Sequence, residues 1–311
     1  MKSSRLVFAL AAGAVSLALV QQAAASESRP PMQPGATTGA PAGALPPAGL
    51  YANIDTYYSS GTVVNAEGQN TGVKIAGAGG GLRLLDVPGW RILGASYGAA
   101  IIQPFNYNLV NANNIGHSSS YSMGLYNTIL TPEILSWALG KGNFVSEGLS
   151  IYLPNGDFIA TYSPKTGYVS SPISGANHYF VFEPNLAYSY LKNGWNITLN
   201  NTIDFNATDP KTHYHSGDIY YLDWTIAHWF GRYQIGAIGN YTRQFTNDTK
   251  FGRPVINIGG VGDQYMHASA GPIFSYKFQA STLVIRYLYG FAGQNGGNQS
   301  FFHIGLNFPL S

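Results

Sequence analysis

Hydrophobic positions alternate with polar or small ones over much of the chain, and the pattern is strongest near the C-terminus. One alternating row consists of Leu283, Ile285, Tyr287, Tyr289 and Phe291. A second row consists of Phe302, Ile304, Leu306, Phe308 and Leu310, with His303, Gly305, Asn307 and Pro309 between its members. A period of two predicts β-strands with one apolar face and one polar or small face.

Alternation and turn residues together predict about twelve strands, an even number like that of single-chain bacterial outer-membrane barrels. The predicted strands cover residues 50–58, 72–84, 90–103, 121–139, 144–153, 178–190, 195–205, 217–230, 233–245, 264–278, 282–291 and 301–310. Pro132 lies within the range 121–139. Because proline cannot donate to a strand ladder, we expect a bulge or a break there.

The predicted connections alternate in length. The short ones are 86–89, 140–143, 191–194, 231–232 and 279–281, and the long ones are 59–71, 104–120, 154–177, 206–216, 246–263 and 292–300. Outer-membrane barrels have this asymmetry, with short turns at the periplasmic rim and long loops outside the cell. The sequence therefore predicts an all-β fold, a transmembrane antiparallel up-and-down β-barrel in which the last strand pairs with the first.

The composition narrows the class of protein. Only 10% of the 311 residues are charged, with 16 Lys and Arg against 14 Asp and Glu, whereas aromatic residues make up 14%. The nearly equal numbers of positive and negative residues exclude the basic surface of a nucleic-acid-binding protein. The low charged fraction is also unlike the charged surface of an ordinary soluble domain. A barrel in the bacterial outer membrane also fits better than a helical membrane protein, because no apolar run of spanning length follows the N-terminal region.

The N-terminal region divides into two parts before the barrel of residues 49–311. Residues 1–25 are typical of a signal peptide, with Lys2 and Arg5 before an apolar run and a small-residue cleavage site at its end. The alternative is a membrane anchor, for which the run is short. Residues 26–48 are rich in Pro, Gly and Ala and are expected to be flexible. We favour a disordered periplasmic tail, with a plug inserted into the lumen as the alternative.

Tryptophans provide an independent indication of the barrel's orientation. With the assigned strand directions, four of them fall at the periplasmic rim, where an aromatic girdle is expected. They are Trp90, Trp137, Trp195 and Trp229.

Ionisable and amide side chains concentrate on the strand faces that point inward. The lumen-facing candidates are Lys74, Glu183, Asn185, Asp204, Asp223, His267, Lys277 and Arg286. They either form an electrostatic field or a solute-orienting site across the lumen, or are paired charges that fill a narrow barrel. Asp204 and Asp223 are expected to be neighbours on adjacent strands. Arg83 and Glu147 depart from strict alternation, for which bulges or nearness to the rim are the expected reasons.

Two further clusters are candidates for chemistry. Gly116-His117-Ser118 places a serine beside a histidine, but nucleophilic catalysis also needs a third group that orients the base. His213 and His215, with Asp209 and Asp218, could hold a metal ion, yet Pro210 and Gly217 mark the stretch as a loop. We therefore expect no catalytic site, no metal and no cofactor.

Sequence motifs in the C-terminal half carry a family resemblance. They are the runs 178–185 (HYFVFEPN), 202–206 (TIDFN), 209–212 (DPKT), 214–217 (YHSG), 222–224 (LDW) and 245–248 (FTND), followed by Gly271-Pro272 and the ending Phe308-Pro309-Leu310. Their order and spacing resemble those of a family of bacterial outer-membrane proteins linked to phenol meta-cleavage degradation, also described as SphA-like transporters. The resemblance implies an outer-membrane barrel that assists uptake of hydrophobic or aromatic compounds. The final Ser311 is a departure, because outer-membrane barrels commonly end on an aromatic residue.

These observations predict an outer-membrane channel for passive uptake of small apolar or aromatic compounds. The alternative is a closed structural or adhesive barrel, and a barrel lipid hydrolase is the third candidate. The expected partners are outer-membrane lipid, the barrel-assembly machinery through the C-terminal strand, and a small apolar or aromatic solute, but no nucleic acid.

Overall fold

A computed structural model describes residues 30–116, 118–164, 167–171, 173–257, 260–261 and 264–310. Twelve long strands form the barrel: β1 Gly49–Val64, β2 Asn70–Val87, β3 Ala95–Asn111, β4 Ile129–Gly140, β5 Asn143–Tyr152, β6 Val181–Tyr190, β7 Trp195–Asn206, β8 Ile219–Phe230, β9 Tyr233–Gln244, β10 Met266–Phe278, β11 Ser281–Gln294 and β12 Gly296–Pro309. Each strand pairs antiparallel with the next, and β12 pairs with β1. The predicted fold class is confirmed.

The closing ladder shows how alternation sets the two faces of the wall. Ile54 lies opposite Leu306, and both are exposed on the outer face, whereas His303 is buried inside the barrel. Successive side chains of a strand point to opposite faces. The outer row therefore meets lipid, which buries its apolar surface, and the polar row faces the lumen.

The connections differ from the prediction at three places on the rim of the long loops. Residues 104–111 of the predicted loop 104–120 belong to β3. β1 and β2 are joined by only residues 65–69, and β11 and β12 by Asn295 alone. The predicted loops 59–71 and 292–300 were too long, because their Gly, Asn and Ser residues continue the strand ladders instead of forming turns. The connections 153–180, 207–218 and 245–265 are long, as predicted.

The predicted strand 121–139 is two strands in the structure. Ser120–Leu125 pairs with the upper part of β3, and β4 begins only at Ile129. The register of β4 against β5 shifts between Leu130 and Glu133, on either side of Pro132. The missing amide of Pro132 explains the bulge, as expected at such a residue.

The four rim tryptophans lie near the periplasmic ends, but not all on the same face. Trp90 lies in the turn before β3 and stacks on Tyr97, and Trp137 donates a hydrogen bond from Nε1 to the carbonyl of Leu93. Trp229 belongs to the inward-facing row of β8 and lines the lumen. Trp229 therefore lies near the rim but does not contribute a lipid-facing side chain to a girdle, because the alternation along β8 turns it inward.

Short elements complete the described chain. They are the strands Arg91–Ile92, Ser120–Leu125, Ala160–Ser163, Gly167–Ser170, Tyr214–His215, Thr249–Lys250, Arg253–Pro254, Ile256–Asn257 and Gly260–Val261, and one 3-10 turn, Asn113–Ile115. Within the described residues, no helix has the length and apolar character needed to cross a membrane.

Candidate functional site

Residues 30–48, called the N-terminal segment below, lie inside the barrel. Their backbone forms tight turns in which an amide donates to the carbonyl three residues earlier, as at Ala36, Ala40 and Ala44. Gly35 and Gly39 have φ angles of 81° and 85°, the left-handed values that a type II turn requires at its third residue. The structure therefore differs from the favoured expectation of a disordered periplasmic tail, and its contacts match the alternative of a plug.

The same two glycines also allow the segment to approach the wall closely. A Cβ atom on Gly35 would collide with Leu288, and one on Gly39 would lie 2.6 Å from Ile273 Cδ1. The small residues of this sequence are therefore matched to a narrow lumen.

Serines hold the segment at the periplasmic end of the barrel. Ser136 Oγ donates to the carbonyl of Gly43 at 2.9 Å, and Ser146 Oγ donates to that of Ala42 at 2.7 Å. The amide of Gly43 donates to Ser189 Oγ at 2.9 Å. The polar inner wall thus satisfies backbone groups that have no partner in regular secondary structure.

A buried carboxylate anchors the middle of the segment. The amide and the hydroxyl of Thr37 both donate to Asp223 Oδ2, at 2.9 and 2.7 Å. Asn240 Nδ2 donates to the other oxygen of Asp223 at 2.6 Å, and Asn200 Nδ2 donates to Thr37 Oγ1 at 3.1 Å. Asp223 thus accepts three hydrogen bonds, two of them from the segment, and is a principal anchor.

Met32 marks the upper part of the described segment, nearer the extracellular end. Its amide donates to Asp204 Oδ2 at 3.4 Å, and its side chain packs on Ile219 and Tyr221 of β8. The Tyr221 hydroxyl donates to the same Asp204 oxygen at 2.8 Å. The segment therefore runs from the periplasmic turns upward along β6, β7 and β8.

The acidic residues of this wall are arranged differently from the expectation. The ladder register places Glu183 opposite Asp204, and the Tyr152 hydroxyl donates to Glu183 Oε2 at 2.7 Å. Asp223 instead pairs with Asn200, whereas Asp204 pairs with Ile219, four residues from Asp223 along β8. Asp204 and Asp223 do lie on adjacent strands, but at different heights, which the sequence left open because it does not determine the register.

Arg286 holds the segment from the opposite side of the lumen. Its Nη1 atom donates to the carbonyl oxygens of Ala36 and Thr38 at 3.2 and 2.7 Å, and its Nη2 atom donates to Asp55 Oδ2 at 2.6 Å. Its side chain is 6% exposed. The guanidinium therefore joins the segment to β1 and β11 through charge-assisted bonds.

His303 adds a second connection between Asp55 and the segment. Its Nδ1 atom is 2.9 Å from Asp55 Oδ2, and its Nε2 atom is 3.0 Å from Gln33 Nε2. The carboxylate accepts and the amide donates, so the network assigns the hydrogen to Nδ1.

Much of the wall behind the segment is apolar. The inner apolar patch, as we call it, consists of Ala227, Ile238, Ile273, Leu288 and Phe301. Tyr57 and His267 lie against Phe301 edge to face, with ring centroids 6.4 and 6.0 Å away. The segment therefore covers a surface of aliphatic and aromatic side chains that would otherwise face the lumen.

A cavity of about 1200 Å³ lies beside the N-terminal segment. Its lining includes residues of the periplasmic turn before β7, such as Asn193, and residues toward the extracellular end, such as Asn108 and Ser174. Pro31, Thr37 and other residues of the segment form part of its wall. The lumen is therefore only partly filled. The N-terminal segment occupies part of its cross-section, and the cavity is the part that remains unoccupied.

Two of the other lumen-facing candidates also lie on the inner wall. Asn185 Nδ2 donates to Asn200 Oδ1 at 3.1 Å. His267 is 1% exposed, and its Nε2 atom is 3.0 Å from the carbonyl of Gln299. With Glu183, Asp204, Asp223 and Arg286, they belong to one polar surface that surrounds the segment.

The two lysines do not join this surface. Lys74 is exposed in the outward row of β2 that includes Leu82, so its assignment to the lumen is wrong. β2 has 18 residues, more than the roughly 9–11 that cross a bilayer, so Lys74 lies beyond the hydrocarbon region. Lys277 belongs to an inward row but is exposed at the periplasmic end of β10, below the packed lumen.

The two residues that departed from strict alternation have different explanations. Arg83 follows the alternation of β2 and faces the lumen, between the outward Leu82 and Leu84. Glu147 does face outward on β5, opposite Leu135 and two residues from Leu149, which pairs with Glu133 where the ladder resumes after the bulge. No bulge is therefore needed to explain Arg83.

The residues considered for metal binding are engaged separately. Asp209 accepts from His178 Nδ1 at 3.1 Å, whereas Asp218 accepts from the amide of Asn206 at 3.0 Å. Within the described ranges, no three His, Cys, Asp or Glu side chains are grouped so that they could hold a metal ion. His117 of the serine–histidine candidate lies outside the described residues.

Sequence reasoning missed several residues of the site. Asp55 carried a signal, since it alternates with the apolar Ile54 and so belongs to the inner face. Gln33, Thr37 and Met32 carried none, because the composition of the segment is also that of an unstructured linker.

Residues 56–302 match the model of the family described as "Putative MetA-pathway of phenol degradation". The chain belongs to this family. No curated protein matches the sequence.

Several solved structures of other proteins are similar in fold to this chain. The COG4313 outer membrane channel from Pseudomonas putida F1 is similar with a TM-score of 0.69 and 14% identity, over 89% of this chain and 99% of that one. The beta domain of the Bordetella autotransporter BrkA has a TM-score of 0.48 and 12% identity, over 84% and 99% of the two chains. A mutant of the TodX monoaromatic hydrocarbon channel has a TM-score of 0.43 and 12% identity, over 85% and 90%. The closed twelve-stranded barrel and its likeness to the first of these confirm the predicted location in the bacterial outer membrane.

Proposed function

We propose that this protein is a passive outer-membrane channel for small apolar or aromatic solutes, and that the N-terminal segment obstructs its lumen. The solute crosses by diffusion down its gradient once the segment moves aside. The inner apolar patch is the observation that carries the proposal. A pore for ions or sugars is lined by polar groups, whereas here a patch of aliphatic and aromatic side chains interrupts the polar inner wall.

The chemistry of the segment supports a removable obstruction. Its main contacts with the wall are hydrogen bonds of backbone amides and carbonyls with Ser, Thr, Asp and Arg side chains. Water can replace each of these partners, so each bond contributes only about 0.5–1.5 kcal/mol, or somewhat more at charged groups. The glycines that touch Leu288 and Ile273 bury little apolar surface of their own.

The similarity of fold also favours this proposal, because the COG4313 protein that matches 89% of this chain is an outer membrane channel. Outer-membrane lipid is a partner of the protein because it contacts the apolar outer face of the barrel. We further propose that β12 is the element that the barrel-assembly machinery recognises.

Uptake by cells tests the proposal. Initial uptake of labelled benzyl alcohol and of labelled xylitol is measured in a Gram-negative host with and without the protein. We expect expression to raise benzyl alcohol uptake several-fold and xylitol uptake little, because the apolar patch favours partition of an aromatic ring. Unchanged uptake of both solutes would identify the closed structural barrel, and an equal increase of both would identify a general pore.

A further inference from the structure

Arg83 is a lumen-facing cation in the periplasmic third of the barrel. It lies four residues from the periplasmic end of β2, opposite Asn53 of β1 and Ile102 of β3. It lines the cavity beside the N-terminal segment. Its position is therefore on the route that a solute follows from the cavity to the periplasm.

The guanidinium has no counter-charge. Its Nε atom is buried without a hydrogen-bond partner, and within the described residues no carboxylate pairs with it. The residue as a whole is half-buried and lines the cavity, so a charged solute can reach it and supply the missing counter-charge.

The acidic groups of the lumen are all engaged elsewhere. Asp55 accepts from Arg286, and Glu183 accepts from Tyr152. Asp204 accepts from Met32 and Asp223 from Thr37, as described above. Arg286 differs from Arg83 in this respect, because its two terminal nitrogens donate hydrogen bonds to the segment and to Asp55.

The cavity wall on this side is largely apolar. Ile102 of β3 and Leu85 of β2 line it, together with Leu45 and Pro46 of the N-terminal segment. Asn53 Nδ2 donates to Asn307 Oδ1 at 2.8 Å and adds a polar edge. One planar cation beside an apolar wall is complementary to a small molecule with an apolar body and one carboxylate.

We infer that Arg83 is a binding site for the carboxylate of aromatic or similarly apolar monocarboxylic acids. This inference deepens the proposed function, on which it rests, since it assigns a charged group to the solute. Arginine suits the role because its donors form a fixed fork that matches the two oxygens of a carboxylate.

Calorimetric titration of the purified full chain in detergent tests the inference, with benzoate and its neutral isostere benzamide as probes. We expect benzoate to bind more tightly than benzamide to the unchanged protein. Arg83→Gln should weaken benzoate binding roughly tenfold or more, as expected for loss of a charge-assisted pair, and should leave benzamide binding unchanged. Arg83→Lys should lose part of the affinity, because it keeps the charge but not the fork.

Lys74→Gln is the matched control, because it removes a positive charge from the outer face of the same strand. It should bind benzoate as the unchanged protein does. The inference would be overturned if the Arg83→Gln variant bound benzoate as tightly as the unchanged protein does. It would also be overturned if the unchanged protein bound benzoate and benzamide equally tightly, or bound neither probe. Heat-modifiable migration on gels verifies that each variant is folded. If the Arg83→Gln variant does not fold, the benzoate affinity of the Arg83→Lys variant tests the inference in its place. Because titration measures binding without transport, its failure is distinct from failure of the uptake experiment.

Discussion

Deletion of residues 26–48, with residues 1–25 kept, should raise single-channel conductance in planar bilayers roughly tenfold. A twelve-stranded barrel lies between small barrels filled by side chains and wide porins. Its conductance therefore depends on what occupies the lumen, and here the N-terminal segment occupies it from the periplasmic turns to the level of Met32.

The deletion needs a control that also shortens the chain. Removal of residues 161–169 is suitable, because this range takes away most of the two short strands Ala160–Ser163 and Gly167–Ser170, which pair with each other and not with the barrel wall. This variant should conduct like the full chain. If the deletion of 26–48 left conductance unchanged while the barrel remained folded, the segment could not be the obstruction.

Arg286→Gln should open the channel without removing any residue. The substitution weakens the bonds to the carbonyl oxygens of Ala36 and Thr38 and leaves Asp55 without its cation. Bonds of this kind contribute about 1.5–3 kcal/mol, so the ratio of open to closed channels should rise by roughly tenfold or more. Open probability in single-channel recordings measures the effect.

Two comparisons separate this effect from general damage to the barrel. Lys277→Gln removes a cation from an inward row of the neighbouring strand, but at the exposed periplasmic end, and should leave the open probability unchanged. In the chain that lacks residues 26–48, Arg286→Gln should have no further effect. An equal increase in both backgrounds would show that Arg286 acts on the wall and not on the segment.

Much of the barrel could be predicted because its physical cause is local. Alternation along β7, with Leu199 outward and Asn200 inward, follows from the geometry of a strand between lipid and a polar lumen. The length of the connections was less predictable. Gly296, Gly297 and Asn298 are typical of a turn, but the ladder with β1 extends through them.

The sequence could not decide between a plug and a disordered tail, because no local pattern distinguishes the two. Pro34-Gly35 forms a type II turn in the structure, yet the same dipeptide is common in disordered tails. Thr37 becomes an anchor only through Asp223, which lies 186 residues away in the chain. Such a contact depends on the register of the closed barrel.

Site-specific cross-linking tests most directly whether the segment lies in the lumen. The chain contains no cysteine, so Thr37→Cys can be combined with Asn200→Cys on the inner face or with Asn201→Cys on the outer face. A short bis-methanethiosulfonate reagent, with Ser189→Cys and Thr198→Cys as a positive control pair, is applied to the protein in membranes. Mass spectrometry should find position 37 linked to position 200 and not to position 201. Linkage of the control pair without any link between positions 37 and 200 would contradict the account.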